Sequence, residues 1–521
     1  MCMVRRRLAP VLLLFSLIGG CAANHAELQQ PAQTGSVTAE QLFTVAFRPI
    51  ADNWLKPVSM PQLVTDGLRR VATADGALWV VQHEGLFLLL RDGKEQARLP
   101  QPGDTIPERW AALTAEMLRA MRTASPTLAA RPAEAVYRDM FDGMMADLDP
   151  YSRYAEPNKA QKERSQREGY DGIGVSIRDA EGGGFAVSDL VPDGPADLAG
   201  IKVGDRILAV AGLRTVSMGY ETLSSMIQGP EGTNVELRVG PDDAQARTVT
   251  VRRRHLVPNM VRASLQDGII QLKIDRFNNA TQEHVRQAIL RAQEKSGPLK
   301  GVVMDLRGNP GGVMVQAVGV VNLFVPQGRI ITTRGRHPNS VQWFEAQRPM
   351  TAFPDLPLVV LIDGNTASSA EIVAAALQDA GRALLVGSSS FGKGSVQHVT
   401  QLPNGGELFI TWSRIYAPSG YSFDGQGLQP NLCLTRAGVT MESLLGEAGR
   451  VDRGAQTQLV RLRMAATEDE KLRPGLRQEC PAASATGPES ALGMAVARNL
   501  LRDGAFYRQA LASRQTNVAE R

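Results

Sequence analysis

The sequence predicts a multidomain chain of α+β and α/β character: a mainly helical N-terminal region, a module of short strands, and an α/β core. Three observations predict it. Apolar residues recur at near-helical spacing in Glu108–Met121 (Trp110, Leu113, Met117, Leu118, Met121), short alternating runs divided by glycine and proline follow from about Gly169, and strand-length apolar runs alternate with helix-length segments beyond Pro258. At 521 residues, 43% hydrophobic and 21% charged, the chain has room for about three domains and an ordinary globular composition. The formal net charge of +4 includes Arg5, Arg6 and Arg7 at the extreme N-terminus, so the rest is close to neutral and nothing asks for nucleic acid.

Residues 1–20 read as a signal peptide. Arg5, Arg6 and Arg7 precede the apolar run Leu8–Ile18, which contains Pro10 and is too short to span a bilayer, so the chain is expected to be exported. Leu17-Ile-Gly-Gly-Cys21 resembles the bacterial lipobox, which implies a lipid on Cys21; the alternative is an ordinary signal peptide with a chance cysteine. By the same analogy Ala22 implies the periplasmic face of the outer membrane. Residues 21–37 read as a tether, and no later run is long and apolar enough to touch membrane. With Cys2 and Cys21 set aside, Cys433 and Cys480 remain in an oxidising compartment. A disulfide between them would contribute about 4 kcal/mol on the chain-entropy model; the alternative is two unpaired buried thiols.

Within residues 38–168 the helices are expected over Glu108–Met121 and Ala133–Leu148, with a hairpin of Leu78–Gln82 and Leu86–Leu90; the region carries no evident chemistry. Residues 169–254 hold strands Val175–Arg178, Phe185–Leu190, Arg206–Val210, Val235–Val239 and Thr248–Arg252, and a helix over Tyr220–Gln228. In residues 255–437 the buried strands are Ile269–Ile274, Gly301–Leu306, Leu358–Ile362 and Ala383–Val386, alternating with helices Gln282–Lys295, Val313–Phe324 and Ser369–Ala380. The tail, residues 438–521, reads as helical over Ser443–Glu447 and Glu489–Arg508.

Chemistry concentrates in three motifs, each directly after a core strand, where active groups of such folds gather. They are Asp305-Leu-Arg-Gly-Asn-Pro-Gly-Gly312, Asp363-Gly-Asn-Thr-Ala-Ser-Ser-Ala-Glu371 and Phe391-Gly-Lys-Gly-Ser-Val-Gln397. A hydroxyl at a helix start, a lysine between glycines and a glycine turn with bare amides suit a serine nucleophile with a lysine base. Ser369, first in its helix, would offer its amide to an oxyanion with the helix dipole behind it. Each residue also has a plainer reading: Ser368 with Glu371 fits a capping box, and Lys393 fits a solvated loop charge. A base must be neutral, and lowering a lysine from about 10.4 to about 7 requires about 4 kcal/mol, which burial can supply. Gly387–Gly394 also satisfies a phosphate-loop pattern, but Gly394 stands where the magnesium-binding hydroxyl belongs and Ser395–Thr400 reads as strand. The chain contains no Gly-x-Ser-x-Gly elbow and no His-Glu-x-x-His, so neither metal nor cofactor is expected.

In order and residue type these motifs resemble the carboxyl-terminal processing peptidases, or tail-specific proteases, over roughly residues 140–435. Leu148-Asp-Pro-Tyr-Ser152 is similar to the stretch that precedes the family's binding module. The resemblance implies a crotonase-like ββα spiral for the core, a Ser368-Lys393-Gln397 triad, and the Gly312 amide as second oxyanion donor beside Ser369, a side chain at Gly312 crowding the incoming carbonyl. It makes Glu371 and Asp379 supporting polar contacts, to Arg307 or Lys393. Family members often read Ala-Ser-Ala-Ser-Glu where this chain has Ala367-Ser-Ser-Ala-Glu371, a change that leaves Ser368 untouched.

Residues 169–254 resemble a circularly permuted PDZ domain, on Gly172-Ile-Gly-Val175 and on Pro195-Ala-Asp-Leu-Ala-Gly-Ile-Lys-Val-Gly-Asp-Arg-Ile207. That implies amides of Gly172, Ile173, Gly174 and Val175 converging on a terminal carboxylate, a peptide added to the sheet edge, and a pocket lined by Leu223, Met226 and Ile227. The alternative for Gly-Ile-Gly is a tight turn; a dinucleotide fingerprint fails because Ile177 occupies the third glycine position and no helix follows. The expected function is a lipid-anchored periplasmic serine endopeptidase acting on proteins with free C-termini. A catalytically silent scaffold that binds such termini is the alternative, and an adaptor lipoprotein or further copies of the chain stay open as partners.

Overall fold

Strands whose every side chain is buried organise the core. The computed structural model describes residues 37–450, 453–484 and 488–513; the leader, Cys21, the tether to residue 36 and the tail beyond residue 513 lie outside the described residues. Gly301–Asp305 and Leu358–Ile362 are buried at every position, and because strand side chains alternate between faces, such strands need cover on both sides. Val302, Met304, Leu358, Val360 and Ile362 pack with helices Thr281–Ser296, Met314–Asn322 and Ser369–Asp379. Val303, Val359 and Leu361 face the other way, onto Leu444, Val496, Leu500 and Tyr507 from helices Met441–Ala448, Pro488–Arg502 and Gly504–Ala512. The tail thus supplies the second cover of the core sheet. Strand order in that sheet is Val261–Gln266, Ile269–Ile274, Gly301–Asp305, Leu358–Ile362, Leu384–Gly387 and Leu432–Cys433. Its first pair is antiparallel and the others parallel.

A second sheet places Gln342–Glu345, Arg329–Arg334, Glu407–Tyr416 and Ser395–Gln401 side by side, with Arg153–Ala155 of the N-terminal region paired onto Glu407–Phe409. Ser395–Gln401 is a strand, against the phosphate-loop reading.

The N-terminal region has helices Ala39–Asn53, Met60–Ala72, Pro107–Ala124 and Ala133–Met145, with Phe43, Phe47 and Phe141 fully buried. Its hairpin gains a third strand, Lys94–Pro100, whose largely exposed, charged residues carry no apolar alternation. One tail expectation is corrected. Glu489–Arg508 is two helices rather than one, because the Asp503 side chain accepts the amides of Ala505 and Phe506 and caps a new start. Helix Arg453–Glu468, which the sequence reading left unplaced within the tail, docks through buried Ala466 and buried Arg463, which donates to Gln429 Oε1 (3.0 Å) and Gln378 Oε1 (3.1 Å).

The strand module orders Arg247–Arg252, Asn234–Gly240, Arg206–Val210, Phe185–Leu190 and Val175–Asp179, with helix Tyr220–Ile227 against it. Val175–Asp179 pairs only with Phe185–Leu190 among the described strands, so its outer edge is free. An antiparallel ribbon of Tyr170–Gly172 with Arg254–Leu256 carries the chain into and out of the module. Helix Pro157–Arg167, just ahead of it, is pinned to the second sheet by Arg164 and Arg167, which meet the fully buried Glu407 carboxylate at 2.8 and 3.0 Å.

Candidate active site

Three core strands end beside one another and release the three motif loops together. Asp363 ties two of them: its Oδ1 accepts the Gly308 amide at 2.8 Å and the Asn365 amide at 3.1 Å. The Ala367 amide donates to the Asn309 carbonyl (2.9 Å), and the Phe391 amide to the Thr366 carbonyl (3.0 Å), which brings in the third loop.

Ser368 stands at the N-cap of Ser369–Asp379 with φ 54° and ψ −118°, a region that non-glycine residues rarely occupy and that costs about 1–3 kcal/mol. Ser368 is part-exposed, and the Glu371 side chain accepts its amide as in the capping box that the sequence offered. Gly311 makes room for Ser368: a Cβ there would lie 2.8 Å from Ser368 Cβ and 2.9 Å from the Ala367 carbonyl oxygen. Next to it, Ser369 Oγ donates to the Gly312 carbonyl at 2.9 Å, so these two residues are neighbours. Their amides donate to no protein acceptor among the described residues, as an oxyanion site requires. Glycine at position 312 has a further reason. A Cβ there would strike the Phe277 carbonyl oxygen at 2.0 Å, so the backbone of Phe277, bridged to Gly312, already excludes a side chain.

Glu371 joins the nucleophile loop to the lysine loop. It is fully buried, and one oxygen, Oε2, accepts both the Ser368 amide (2.8 Å) and the Lys393 amide (2.8 Å). The two backbone nitrogens can therefore be no further apart than twice that distance. Oε1 accepts the Gly392 amide (2.7 Å) and the Ser390 hydroxyl. Burial outweighs these four donors and pushes the carboxyl up to about 7. The expected contacts are revised accordingly: Glu371 holds Lys393 through the backbone, Arg307 pairs with Asp305 (2.6 Å), and Asp379 receives Ser419 Oγ (2.6 Å) away from both.

Lys393 Nζ donates to Gln397 Oε1 at 3.1 Å. A register shift between Val396 and Gln397 provides the bend that lets a strand residue turn back to the lysine. Gly394 lets the loop pack, since a Cβ would lie 2.5 Å from the Asp424 amide nitrogen. Burial, then the nearby Arg153 charge, depress the Lys393 amine below its ordinary value, while Asp149 and Glu371 oppose. No hydrogen bond joins Ser368 Oγ to Lys393 Nζ among the described residues; the amine is turned toward Gln397 and the face of Tyr151, whose ring centroid is 4.8 Å away. Tyr151 belongs to the region that sequence credits with no chemistry, and only its place in Leu148–Ser152 signals it.

The tail also reaches this site. Cys433 and Cys480 form a disulfide, and past it the Ala483 carbonyl accepts the Gly364 amide (2.8 Å) and Ser388 Oγ (3.1 Å). Asn365 Nδ2 donates to Ser484 Oγ (3.0 Å), Arg477 to the Phe391 carbonyl (3.2 Å) and Arg307 to the Ser490 carbonyl (2.9 Å), so all three motif loops are held from behind.

In the module, the amides of Ile173 and Gly174 donate to no acceptor among the described residues, while their carbonyls receive Ala196 and Val191 (both 2.9 Å). Gly174 has φ 81°. Of the expected pocket lining, Leu223 and Ile227 are buried on the same inner helix face and Met226 is part-exposed beside them; in the loop, Ile173 is buried and Val175 part-exposed. Two cavities of about 340 and 610 Å³ lie elsewhere on the module, beside Phe185 and Val216 and beside Leu198 and Arg253.

Residues 268–434 match the model of peptidase family S41, and residues 187–239 that of the PDZ domain. Fold and site together define a serine-type peptidase that carries a PDZ domain. The carboxy-terminal-processing protease of Bartonella bacilliformis is 35% identical over 297 residues, 56% of this chain and 68% of the relative. That of Picosynechococcus sp. is 33% identical over 297 residues, 55% and 70% of the two chains, and the chloroplastic carboxyl-terminal-processing peptidase 1 of Arabidopsis thaliana 33% over 346 residues, 62% and 66%. The chain belongs to the carboxyl-terminal-processing proteases.

Proposed function

We propose that this protease is an exported, lipid-anchored endopeptidase that cuts by a serine-lysine mechanism after its PDZ domain has captured a substrate's free C-terminus. The observation that carries the mechanism is the single Glu371 oxygen shared by the Ser368 and Lys393 amides, beside the undonated amides of Gly312 and Ser369. The Lys393 side chain turns from Gln397 to Ser368 and takes the hydroxyl proton as Oγ attacks the scissile carbonyl. The oxyanion rests on the Gly312 and Ser369 amides. Collapse breaks the C–N bond, and the departing amine takes the proton from Lys393. Water, deprotonated by the same amine, then attacks the Ser368 ester and frees the new carboxyl end. Depression of the Lys393 pKa by burial supports the base role, and a pure scaffold has no use for it.

For capture, the free edge of Val175–Asp179 suits an added peptide strand, and the Ile173 and Gly174 amides suit its terminal carboxylate. Export to the periplasmic face of the outer membrane, with Cys21 lipidated, rests on the leader and is in keeping with the Cys433–Cys480 disulfide.

The test compares the wild type with Ser368→Ala and Lys393→Ala on a flexible protein with an apolar C-terminus. Both variants should lose turnover, and equal turnover by all three discards the mechanism. Amidating the substrate terminus should slow wild-type cleavage about 10-fold or more; indifference removes the capture role. Labelling with a radioactive fatty acid that Cys21→Ser fails to abolish would remove the anchor.

A further inference from the structure

We propose that Tyr151, delivered by the N-terminal region, is a positioning residue of the peptidase reaction, holding the Lys393–Gln397 pair between its ring and its carbonyl. The inference rests on the serine-lysine reading. Three contacts close a loop: Lys393 Nζ lies 4.8 Å from the Tyr151 ring centroid, Nζ donates to Gln397 Oε1 at 3.1 Å, and Gln397 Nε2 donates to the Tyr151 carbonyl. In this resting arrangement one residue holds the amine by its face and Gln397 by its backbone, the position from which Lys393 turns to Ser368.

Tyr151 is itself held rigidly. Asp149 Oδ1 accepts the amides of Tyr151 (2.9 Å) and Ser152 (3.0 Å), and also Thr411 Oγ1 (2.7 Å) from the second sheet. Its other oxygen accepts Trp54 Nε1 (2.9 Å) and Ser152 Oγ (2.6 Å). Ser152 Oγ in turn accepts the Thr411 amide at 3.1 Å. Asp149 Oδ2 thus links Trp54 of the N-terminal region to the turn that aims Tyr151. The phenol takes no part in this: the Tyr151 hydroxyl makes no hydrogen bond among the described residues.

A ring face acts on an amine in two opposed ways. It attracts the ammonium, which hinders a base, and it displaces water, which favours the neutral amine. Burial is the leading influence on Lys393 and lowers its pKa, and the Tyr151 ring is one of the groups that cover the amine. The surrounding charges divide: Arg153 on the same segment favours the neutral amine, while Asp149 and, from helix Ser369–Asp379, Glu371 oppose it. Asp424 and Arg477 act on Tyr151 from the far side with opposite signs.

The experiment measures kcat and KM across pH for the full chain and for Tyr151→Phe and Tyr151→Ala, with Lys393→Ala as control. Tyr151→Phe keeps ring and carbonyl and should stay within about 2-fold of wild type, whereas Tyr151→Ala should lose about 10–100-fold in kcat with KM little changed. Its acid limb should move to higher pH, by up to about one unit, as water reaches the amine. Tyr151→Leu replaces Tyr151→Ala should the latter not fold, with the same expectation for kcat. Wild-type kcat and acid limb in Tyr151→Ala or Tyr151→Leu, or a loss in Tyr151→Phe as large as theirs, overturns the assignment. Turnover by Lys393→Ala overturns the serine-lysine reading instead, which keeps the two failures apart.

Discussion

Replacing Glu371 by glutamine keeps its shape and breaks half of its contacts. The carboxylate has two oxygens, one accepting from Ser390 and Gly392, the other from Ser368 and Lys393. Glutamine offers one oxygen and one amino group, so whichever way it turns, two buried donors lose their acceptor and face another donor. At about 1–3 kcal/mol for each orphaned donor the loss is about 2–6 kcal/mol, offset in part because a buried charge is removed. With the amino group turned to Ser368 and Lys393 the two also lose their common anchor, and a misplacement of about 1 Å between reacting groups costs about 100-fold in rate. Urea unfolding and kcat at pH 8 are the assays. A variant within about 0.5 kcal/mol of wild type and with unchanged kcat refutes the reasoning. Acid titration adds a signature. A carboxyl raised from 4.5 to about 7 binds its proton more tightly when folded, so wild-type stability relative to the variant rises as pH falls through that window. Over the same window kcat falls, because a protonated carboxyl cannot serve four donors. Stability and activity thus move in opposite directions.

Gly311→Ala drives a methyl group to within 2.8 Å of Ser368 Cβ at φ 98°, and should reduce kcat at least about 100-fold with binding of a non-cleavable tail peptide unchanged; near-wild-type turnover contradicts the packing described. Cys433→Ser with Cys480→Ser should lower stability by about 4 kcal/mol in denaturant titration, from the 47-residue separation that the bond closes. A change below about 1 kcal/mol would place the tail's hold elsewhere.

Buried parallel strands and the helices between them were legible because an all-apolar run and a helical stripe each have one physical cause. The edges of Ile269–Ile274 and Leu358–Ile362 agree with their apolar limits. The pairing of Gln397 with Lys393, and the approach of Ser368 to the lysine loop, were expected from the family resemblance in motif order, since chemistry sets residue types and not their order along the chain. Glu371 was visible as a residue but not in its role, since its partners are backbone amides, and an amide leaves no mark on sequence. Tyr151 is remote in sequence from the lysine it touches, and its phenol, the feature that distinguishes it from phenylalanine, is idle.

The knot that Cys433 and Cys480 tie has a reach beyond its own neighbourhood. A protease of this family works on the ends of other chains, yet it has wound its own late segment around the back of its cutting loops like a girdle. Deletions or fusions that loosen residues 477–484 would be felt at Ser368 and Lys393 without altering any catalytic side chain, so the integrity of the enzyme's own trailing segment sets the sharpness of its blade.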